Sequence, residues 1–264
     1  MADTVLYEVT ESLATVTLNR PEAMNALNVT AKEALLNAVR RAAADSAVRA
    51  VLLAANGRAF CVGQDLREHA AALAEATDAG GAMRTVAEHY GPIARTIAEM
   101  PKPVVAAVNG VAAGAGFGFA LAADYRVVAA GASFNTAFTG IGLTADSGLS
   151  WTLPRVVGPA RATDLLLFPR RVDAAEAERL GIAQRVVPDD ELPATAREIA
   201  GRLAEGPTVA YAALKQALAF AADHSLVETL DVESGLQRTA GASADHLAAV
   251  AAFLNKERPA FGGS

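Results

Sequence analysis

The chain has 264 residues, of which 52% are hydrophobic, 5% aromatic and 20% charged, and its net charge is −6. It is too apolar for a disordered chain, and it is long enough for one large domain with a buried core. The acidic balance argues against a nucleic-acid partner, whose phosphates need a basic face. A single cysteine excludes a disulfide framework, and the four histidines have no metal-ligand spacing, so no metal site is predicted.

The first third of the chain alternates strand and helix patterns. Residues 5–9 and 14–18 alternate apolar and polar side chains and predict a β-hairpin that turns at residues 10–12. A helix follows, for which Thr30 and Glu33 predict a capping box. Residues 50–55 predict a buried strand that ends at Asn56-Gly57. Residues 83–100 predict a long amphipathic helix stopped by Pro101 and Pro103, after a small-residue loop at residues 76–82.

The 21 residues from Pro103 to Ala123 carry no charge. An uncharged stretch of this length is long enough to span a bilayer. The stretch is only weakly hydrophobic, because it has one leucine, no isoleucine and several glycines. It reads better as a strand at residues 104–108, a turn at Asn109-Gly110 and a helix beginning near Gly114. The N-terminus has no basic region followed by an apolar run. We therefore expect a soluble, cytoplasmic protein without a membrane partner.

The last part of the chain changes character. Residues 125–128 and 184–187 predict two more strands, and Asp173 and Gly181 predict the start and end of a helix between them. From residue 189 to about 255 the periodicity is only helical. The sequence thus predicts an α/β core over residues 1–205 and a helical region over residues 206–264 that packs on the core or on a neighbouring subunit.

Two glycine-rich segments, AFCVGQDL at residues 59–66 and NGVAAGAGFG at residues 109–118, each adjoin an Asn-Gly turn that follows a buried strand. Together with LNRPEAMNALN at residues 18–28 and DLLLFPRRVDAAEAERLGIAQRVVP at residues 164–188, they resemble the crotonase (enoyl-CoA hydratase/isomerase) superfamily over nearly the whole chain. The resemblance implies an α/β fold, a spiral of ββα units with a helical C-terminal trimerisation region. It also implies a homotrimer, or a hexamer built from two trimers.

The resemblance further implies an enzyme that acts on acyl-CoA thioesters without a separate cofactor, since coenzyme A is part of the substrate. Its reactions pass through an enolate whose oxygen is held by two backbone N–H groups, the oxyanion hole. By resemblance these donors are the amides of Gln64 and Ala115. Family members usually have glycine where Ala115 stands. The alanine keeps the N–H but narrows the site, and the helix that begins near Gly114 adds its dipole to the same charge.

The resemblance also carries binding positions. The CoA-binding pattern of the family falls on six residues of this chain: Ala23, Met24, Cys61, Gly63, Asp65 and Leu66. Cys61 is read as a packing residue beside the site, because no histidine accompanies it as a base. Lys256, near the C-terminus, is expected to reach the CoA of a neighbouring subunit. Tyr90 either borders the acyl pocket or is simply a core residue.

The choice of reaction depends on which group moves protons. By resemblance, family hydratases use two glutamates at the positions of Gly118 and Phe138, and neither residue can move a proton. Asp146, in GLTADSGLSWTLPRVVG, resembles the proton-carrying aspartate of family isomerases that act on unsaturated and ring-epoxide acyl-CoAs, the 1,2-epoxyphenylacetyl-CoA isomerase-like members. This resemblance favours isomerisation, in the manner of fatty-acid or phenylacetate breakdown.

A single carboxylate can catalyse the shift of a double bond, because it can remove an α-proton and return it at the γ-carbon. An apolar pocket would raise its pKa, and Phe138, with Phe134, Ile141 and Trp151, is expected to supply the walls. The alternative for Asp146 is a cap of the helix that follows. Three functions stay open: an acyl-CoA isomerase, a hydratase-type lyase that uses Asp146 and water, and a non-catalytic acyl-CoA-binding homologue.

Overall fold

The computed structural model describes residues 3–75 and 80–264. Within them lie ten strands: β1 Val5–Thr10, β2 Leu13–Leu18, β3 Ala50–Ala55, β4 Ala59–Cys61, β5 Val104–Val108, β6 Val111–Ala113, β7 Tyr125–Ala129, β8 Ser133–Asn135, β9 Val172–Asp173 and β10 Arg185–Val187. The α-helices are α1 Val29–Ala44, α2 Leu66–Glu75, α3 Gly91–Glu99, α4 Ala115–Ala122, α5 Leu149–Val157, α6 Pro159–Leu167, α7 Ala174–Arg179, α8 Leu192–Ala204, α9 Thr208–Ala221, α10 Leu226–Gly241 and α11 Ala244–Asn255.

The strands form two mixed sheets. The larger has the order β1-β2-β3-β5-β7-β10, and its strands are parallel except for the antiparallel hairpin of β1 and β2. The hairpin prediction is confirmed, with Glu11 and Ser12 both at positive φ in the turn. The central strand β5 is buried along its whole length, as a parallel strand covered on both faces should be.

From β3 to β8, successive strands alternate between the two sheets. The smaller sheet has the order β4-β6-β8-β9, so β3 and β5 in the large sheet are each followed by a short strand, β4 and β6, in the small one. The Asn-Gly turns make these two transitions. They pack on each other, because the Asn109 side chain donates to the carbonyl of Gly57 at 2.7 Å. The uncharged stretch is thus two strands and a short helix, and no described helix is long and apolar enough to cross a membrane.

Two local predictions need correction or refinement. Helix α1 is capped by the side chain of Asn28, which accepts from the N–H of Ala31, and the predicted capping box at Thr30 and Glu33 is wrong because Thr30 is already inside the helix. The long amphipathic segment before Pro101 is helical, but residues Val86–Tyr90 form a π-helical turn, closed by a bond from the N–H of Gly91 to the carbonyl of Val86. Four residues of the loop predicted at 76–82 lie outside the described residues, and Gly81–Met83 form a 3₁₀ turn.

The chain beyond residue 189 is helical, as predicted, and its last three helices bury little. Lys215 on α9 reaches back to Asp124 at 2.7 Å, and Arg49 donates to Thr208 and to the carbonyl of Phe261. Apolar side chains nevertheless stay exposed along α9, α10 and α11: Leu214, Leu218, Leu226, Val227, Leu230, Leu247, Val250, Phe253 and Leu254. These nine residues are called the C-terminal apolar face below.

Two helical glycines differ in the space around them. A Cβ on Gly116 in α4 would lie 2.2 Å from the carbonyl oxygen of Cys61, whereas one on Gly201 in α8 would meet nothing within 4 Å. We expect Gly116→Ala to lower the free energy of unfolding by about 1–3 kcal/mol through overpacking. Gly201→Ala, the matched control, should raise it by up to about 1 kcal/mol because alanine favours the helix. Denaturant unfolding of both variants measures this, and equal effects would contradict it.

Candidate active site

One cleft, with a volume of about 860 Å³, runs along an edge of the small sheet. Strands β4, β6 and β8 are parallel neighbours in this sheet, so their carboxyl ends meet at the same edge. The residues that follow these ends are Gln64, Ala115 and Phe138, and all three line the cleft. Three segments that are far apart in the chain are therefore brought together by the sheet topology alone.

The backbone of this edge presents two free donors. Leu27 forms a short parallel bridge with Gln64: the Leu27 N–H donates to the Gly63 carbonyl at 2.8 Å, and the Asp65 N–H donates to the Leu27 carbonyl at 3.1 Å. The N–H of Gln64 itself has no acceptor among the described residues. The N–H of Ala115, at the first position of α4, has none there either, as expected for a helix start.

Glycine is required between the two donors. Gly63 has φ +83°, and a Cβ built on it would lie 3.0 Å from the carbonyl oxygen of Ala113 and 3.4 Å from the nitrogen of Ala115. A side chain at this position would therefore crowd one N–H while straining the backbone that carries the other. Gly114 has φ +54° and turns the chain from β6 into α4. The arrangement is suited to hold one negatively charged oxygen.

A carboxylate lies in the apolar part of the same cleft. Asp146 lines the cleft with Phe138, Leu143 and Tyr90, and its Oδ1 accepts a bond from the Ser147 hydroxyl at 2.6 Å. Burial raises the pKa of Asp146 above its ordinary value, and the bond from Ser147 offsets only part of this rise. The alternative that Asp146 caps the next helix is wrong, because Gly148 stands at the N-cap of α5 without a side-chain cap.

The expected apolar walls are present in part. Phe138 and Ile141 line the cleft, whereas Phe134 is fully buried behind it and Trp151 is 48% exposed, stacked on Arg155 outside it. Tyr90 combines the two roles considered for it: it lines the cleft yet is only 2% exposed, and its hydroxyl donates to the side-chain oxygen of Gln64.

Five of the six residues to which the resemblance assigns CoA binding line the cleft: Ala23, Met24, Gly63, Asp65 and Leu66. Asp65 is fixed by Arg20 at 3.1 Å. Burial alone would raise the pKa of Asp65, but the hydrogen bond from Arg20 and those from nearby backbone N–H groups outweigh burial and lower it.

Two sequence-predicted site residues do not line the cleft. Cys61 is fully buried beneath it against Gly116, and burial raises the pKa of its thiol to about 12, which leaves it protonated and unreactive. Lys256 is exposed at the end of α11 and is absent from the cleft of this chain. Its expected contact with a neighbouring subunit stays a prediction.

Comparison with known proteins decides the family. Residues 8–264 match the family model described as enoyl-CoA hydratase/isomerase. This chain belongs to the crotonase superfamily. It is 45% identical over 260 residues to a probable enoyl-CoA hydratase of Rhodobacter capsulatus, with 98% of each chain covered. It is 40% identical over 264 residues to the 1,2-epoxyphenylacetyl-CoA isomerase of Escherichia coli, with 100% of each covered.

The crotonase fold is confirmed by solved structures. An enoyl-CoA hydratase/isomerase structure from Mycobacterium abscessus superposes with a TM-score of 0.95 at 47% identity, covering 98% of this chain and 100% of that one. This crotonase is therefore an enzyme of the enoyl-CoA hydratase/isomerase family with an acyl-CoA substrate.

In this crotonase, the position that resemblance assigns to a hydratase glutamate has no room for a side chain. A Cβ on Gly118 would lie 2.5 Å from the Cβ of Ser147 and 2.8 Å from its carbonyl oxygen. The residue after Asp146 thus packs directly on the helix turn where the glutamate would stand. The absence of the glutamate and the position of Asp146 therefore have one steric cause. A side chain at position 118 would displace the segment that carries the aspartate.

Several residues that line the cleft or lie next to it were not identified from the sequence. For one of them, Lys32, the sequence pattern contains an indication of its unusual position. Met83 and Val86 line the cleft from the segment at residues 83–100, whose periodicity predicted a helix but no site, and Ala137 and Leu143 line it from loops. Lys32, 1% exposed next to the site, stands in the apolar stripe of α1 with Leu35, Leu36 and Val39, at spacings of three, four and seven residues. A lysine in a buried stripe is a signal that could have been found.

The raised pKa of Asp146 gives a prediction about stability. Since folding raises this pKa, ionisation of Asp146 costs stability as the pH rises through the raised pKa, and the cost disappears below the ordinary value of 3.8. We expect Asp146→Asn, which cannot ionise, to have a higher unfolding midpoint than the wild type at neutral and alkaline pH. The gap should narrow as the pH falls. Thermal unfolding from about pH 4 to about pH 9 measures it.

The exposed Asp164 on α6 gives the control for this series. Asp164→Asn makes the same chemical change at an exposed position, so it controls for the loss of one negative charge. A pH-independent gap for Asp146→Asn would contradict the desolvation argument.

Proposed function

We propose that this enzyme is an acyl-CoA isomerase that moves a double bond from the 3- to the 2-position of an unsaturated acyl-CoA, or rearranges a ring epoxide, with Asp146 as the acid–base group. The observation that carries the proposal is one half-buried carboxylate of raised pKa in the apolar part of a cleft that also holds two free backbone donors. Such a carboxylate is a stronger base than a solvated one, as proton abstraction beside a thioester requires.

The proposed steps balance with one proton. Asp146 removes a proton from the α-carbon, and the electron pair moves onto the thioester oxygen, where the N–H groups of Gln64 and Ala115 stabilise the enolate. The protonated Asp146 then returns the proton to the γ-carbon, which leaves the double bond between the α- and β-carbons. The apolar neighbours Phe138 and Leu143 keep the carboxyl out of bulk water, so the same proton can be returned.

A second candidate is a hydratase-type lyase in which Asp146 activates water. The name of the Rhodobacter capsulatus relative, a probable enoyl-CoA hydratase at 45% identity, favours it. The name of the Escherichia coli relative, an isomerase at 40% identity, favours the first candidate. Gly118 and Phe138 weigh against the usual two-glutamate hydration and leave a non-catalytic acyl-CoA-binding protein as the third.

One experiment separates the three. The wild type, Asp146→Asn and the control Asp164→Asn are given 3-enoyl-CoA and 2-enoyl-CoA thioesters, and products are identified by chromatography and mass. We expect conversion of the 3-enoyl to the 2-enoyl form by the wild type and the control, with kcat at least about 10²-fold lower in Asp146→Asn. A 3-hydroxyacyl product as the main outcome would establish the lyase instead. Thioester binding without turnover would establish the binding protein.

We also propose that the chain acts as a homotrimer or a hexamer through its C-terminal region, residues 206–264. The support is the C-terminal apolar face, on which Phe253 is 81% and Leu218 65% exposed in the single chain. Apolar patches of this kind mark protein interfaces. Residues 1–205, in contrast, contain the cleft and nearly all of the buried apolar residues.

The assembly is tested by its mass. Analytical ultracentrifugation of the wild type should give three or six times the 27.1 kDa of one chain. Leu218→Asp should shift the mass toward one chain, since it places a charge in the proposed interface. Val9→Asp, a change at an exposed apolar residue of β1, is the control and should leave it unchanged. A monomeric wild type would refute the proposal.

A further inference from the structure

A buried lysine lies against the proposed oxyanion hole without lining the cleft. Lys32 stands in the first turn of α1, and its side chain is 2% exposed. Its position is unfavourable twice over. Burial opposes the charge and lowers the pKa of Lys32, against the attraction of Glu68, and a cation at a helix N-terminus faces the positive end of the helix dipole. An apolar residue would serve the packing of α1 better.

The contacts of Lys32 point to one neighbour. Its Nζ donates to Thr85 Oγ1 at 2.9 Å and to the side-chain oxygen Oε1 of Gln64 at 3.4 Å, and it lies 3.8 Å from Glu68. The hydroxyl of Tyr90 donates to the same Gln64 oxygen. Two buried donors from different elements, α1 and the π-helical turn, thus converge on the carboxamide oxygen of Gln64.

The two ends of residue 64 are held in different ways. On the backbone side, the carbonyl before it and the N–H after it are bonded to Leu27, which leaves the Gln64 N–H free. On the side-chain side, the carboxamide is held by Lys32 and Tyr90. A peptide between these two anchors has little freedom to rotate, and an oxyanion donor is effective only when its direction is fixed before the charge develops.

We propose that Lys32 is a positioning residue of the oxyanion hole, which holds the side chain of Gln64 and thereby fixes the backbone N–H of Gln64 toward the thioester oxygen. The proposal rests on the proposed role of that N–H as an oxyanion donor. It adds that α1, through a residue outside the cleft, controls the polarisation of the substrate carbonyl. Glu68 and Thr85 help to hold the lysine in place.

The test removes each end of the contact. Lys32→Met keeps the length of the side chain without its donors, and Gln64→Leu keeps the backbone N–H without the carboxamide. The double variant combines them. Lys102→Met is the matched control, because it removes another buried lysine, whose Nζ donates to the backbone carbonyls of Ala42 and Asp45 rather than to Gln64. The readouts are kcat and KM for the 3-enoyl-CoA, the unfolding midpoint, and the infrared carbonyl frequency of bound butyryl-CoA labelled with ¹³C at the thioester carbon.

The infrared band reports the hydrogen bonds to the thioester oxygen without any turnover. We expect the wild type and Lys102→Met to lower the frequency of the bound carbonyl relative to free butyryl-CoA. Lys32→Met and Gln64→Leu should each lose much of that shift and about tenfold in kcat, with KM changed by less than about threefold. The double variant should lose no more than either single one, because both act through one contact.

The possible failures are distinguishable. A wild-type frequency in Lys32→Met, or losses that add in the double variant, would overturn the positioning role while leaving the oxyanion hole intact. A wild-type protein that binds butyryl-CoA without shifting its carbonyl band would overturn the oxyanion hole and the positioning role together. If Lys32→Met does not fold, Gln64→Leu alone decides: unchanged kcat and frequency in that variant would refute the inference.

Discussion

Two backbone N–H groups of one cleft, those of Gln64 and Ala115, have no acceptor among the residues that the structure describes, and the rest of the site depends on this constraint. A buried donor without a partner costs about 1–3 kcal/mol, so the protein must hold the amides of Gln64 and Ala115 in place by other means. It does so with adjacent parallel strands, β4 and β6, and with glycines where any side chain would intrude. Two bonds to Leu27 hold the backbone on either side of Gln64, and the bond from the Gly118 N–H to the Gly114 carbonyl begins α4 beside Ala115.

The carboxylate of Asp146 is the second polar group of the cleft that burial leaves poorly stabilised. Asp146 loses hydration in the cleft and keeps a single hydroxyl partner, Ser147, so its pKa is raised and its ionised form is a stronger base. Its placement depends on Gly118, where the backbone of Ser147 comes too close for any side chain. One glycine therefore both removes a hydratase-type carboxylate and admits the segment that brings another. Under the proposed isomerase function, this packing accounts for the absence of a carboxylate at position 118 and the presence of one at position 146.

Three features that depart from local rules lie around the cleft. A lysine is buried in the first turn of a helix, an aspartate is desolvated, and residues Val86–Tyr90 wind as a π-helix that places Tyr90 against Gln64. Each feature lowers stability where it stands, and the alanine-rich core of two sheets supplies the compensating burial. The C-terminal apolar face departs from a different rule, because monomeric proteins rarely expose a contiguous apolar surface. This exposure supports the proposed association with another subunit.

The sequence by itself determined the six strands of the large sheet, several helices and the family, but not the short strands β4, β6, β8 and β9 of the small sheet. Periodicity located the hairpin, the long helix before Pro101 and the helical C-terminal region, because these signals are local; the capping box failed because Asn28 competed for the same helix start. The motifs around Gln64 and Ala115 determined the family because their order and spacing are themselves sequence. Only the tertiary structure decided which residues meet. It placed Phe138 beside the two amides through strand pairing, removed Trp151 from the cleft, and brought Lys32 to the side chain of Gln64. Such contacts depend on sheet order and on the packing of side chains far apart in the chain, which no local pattern encodes.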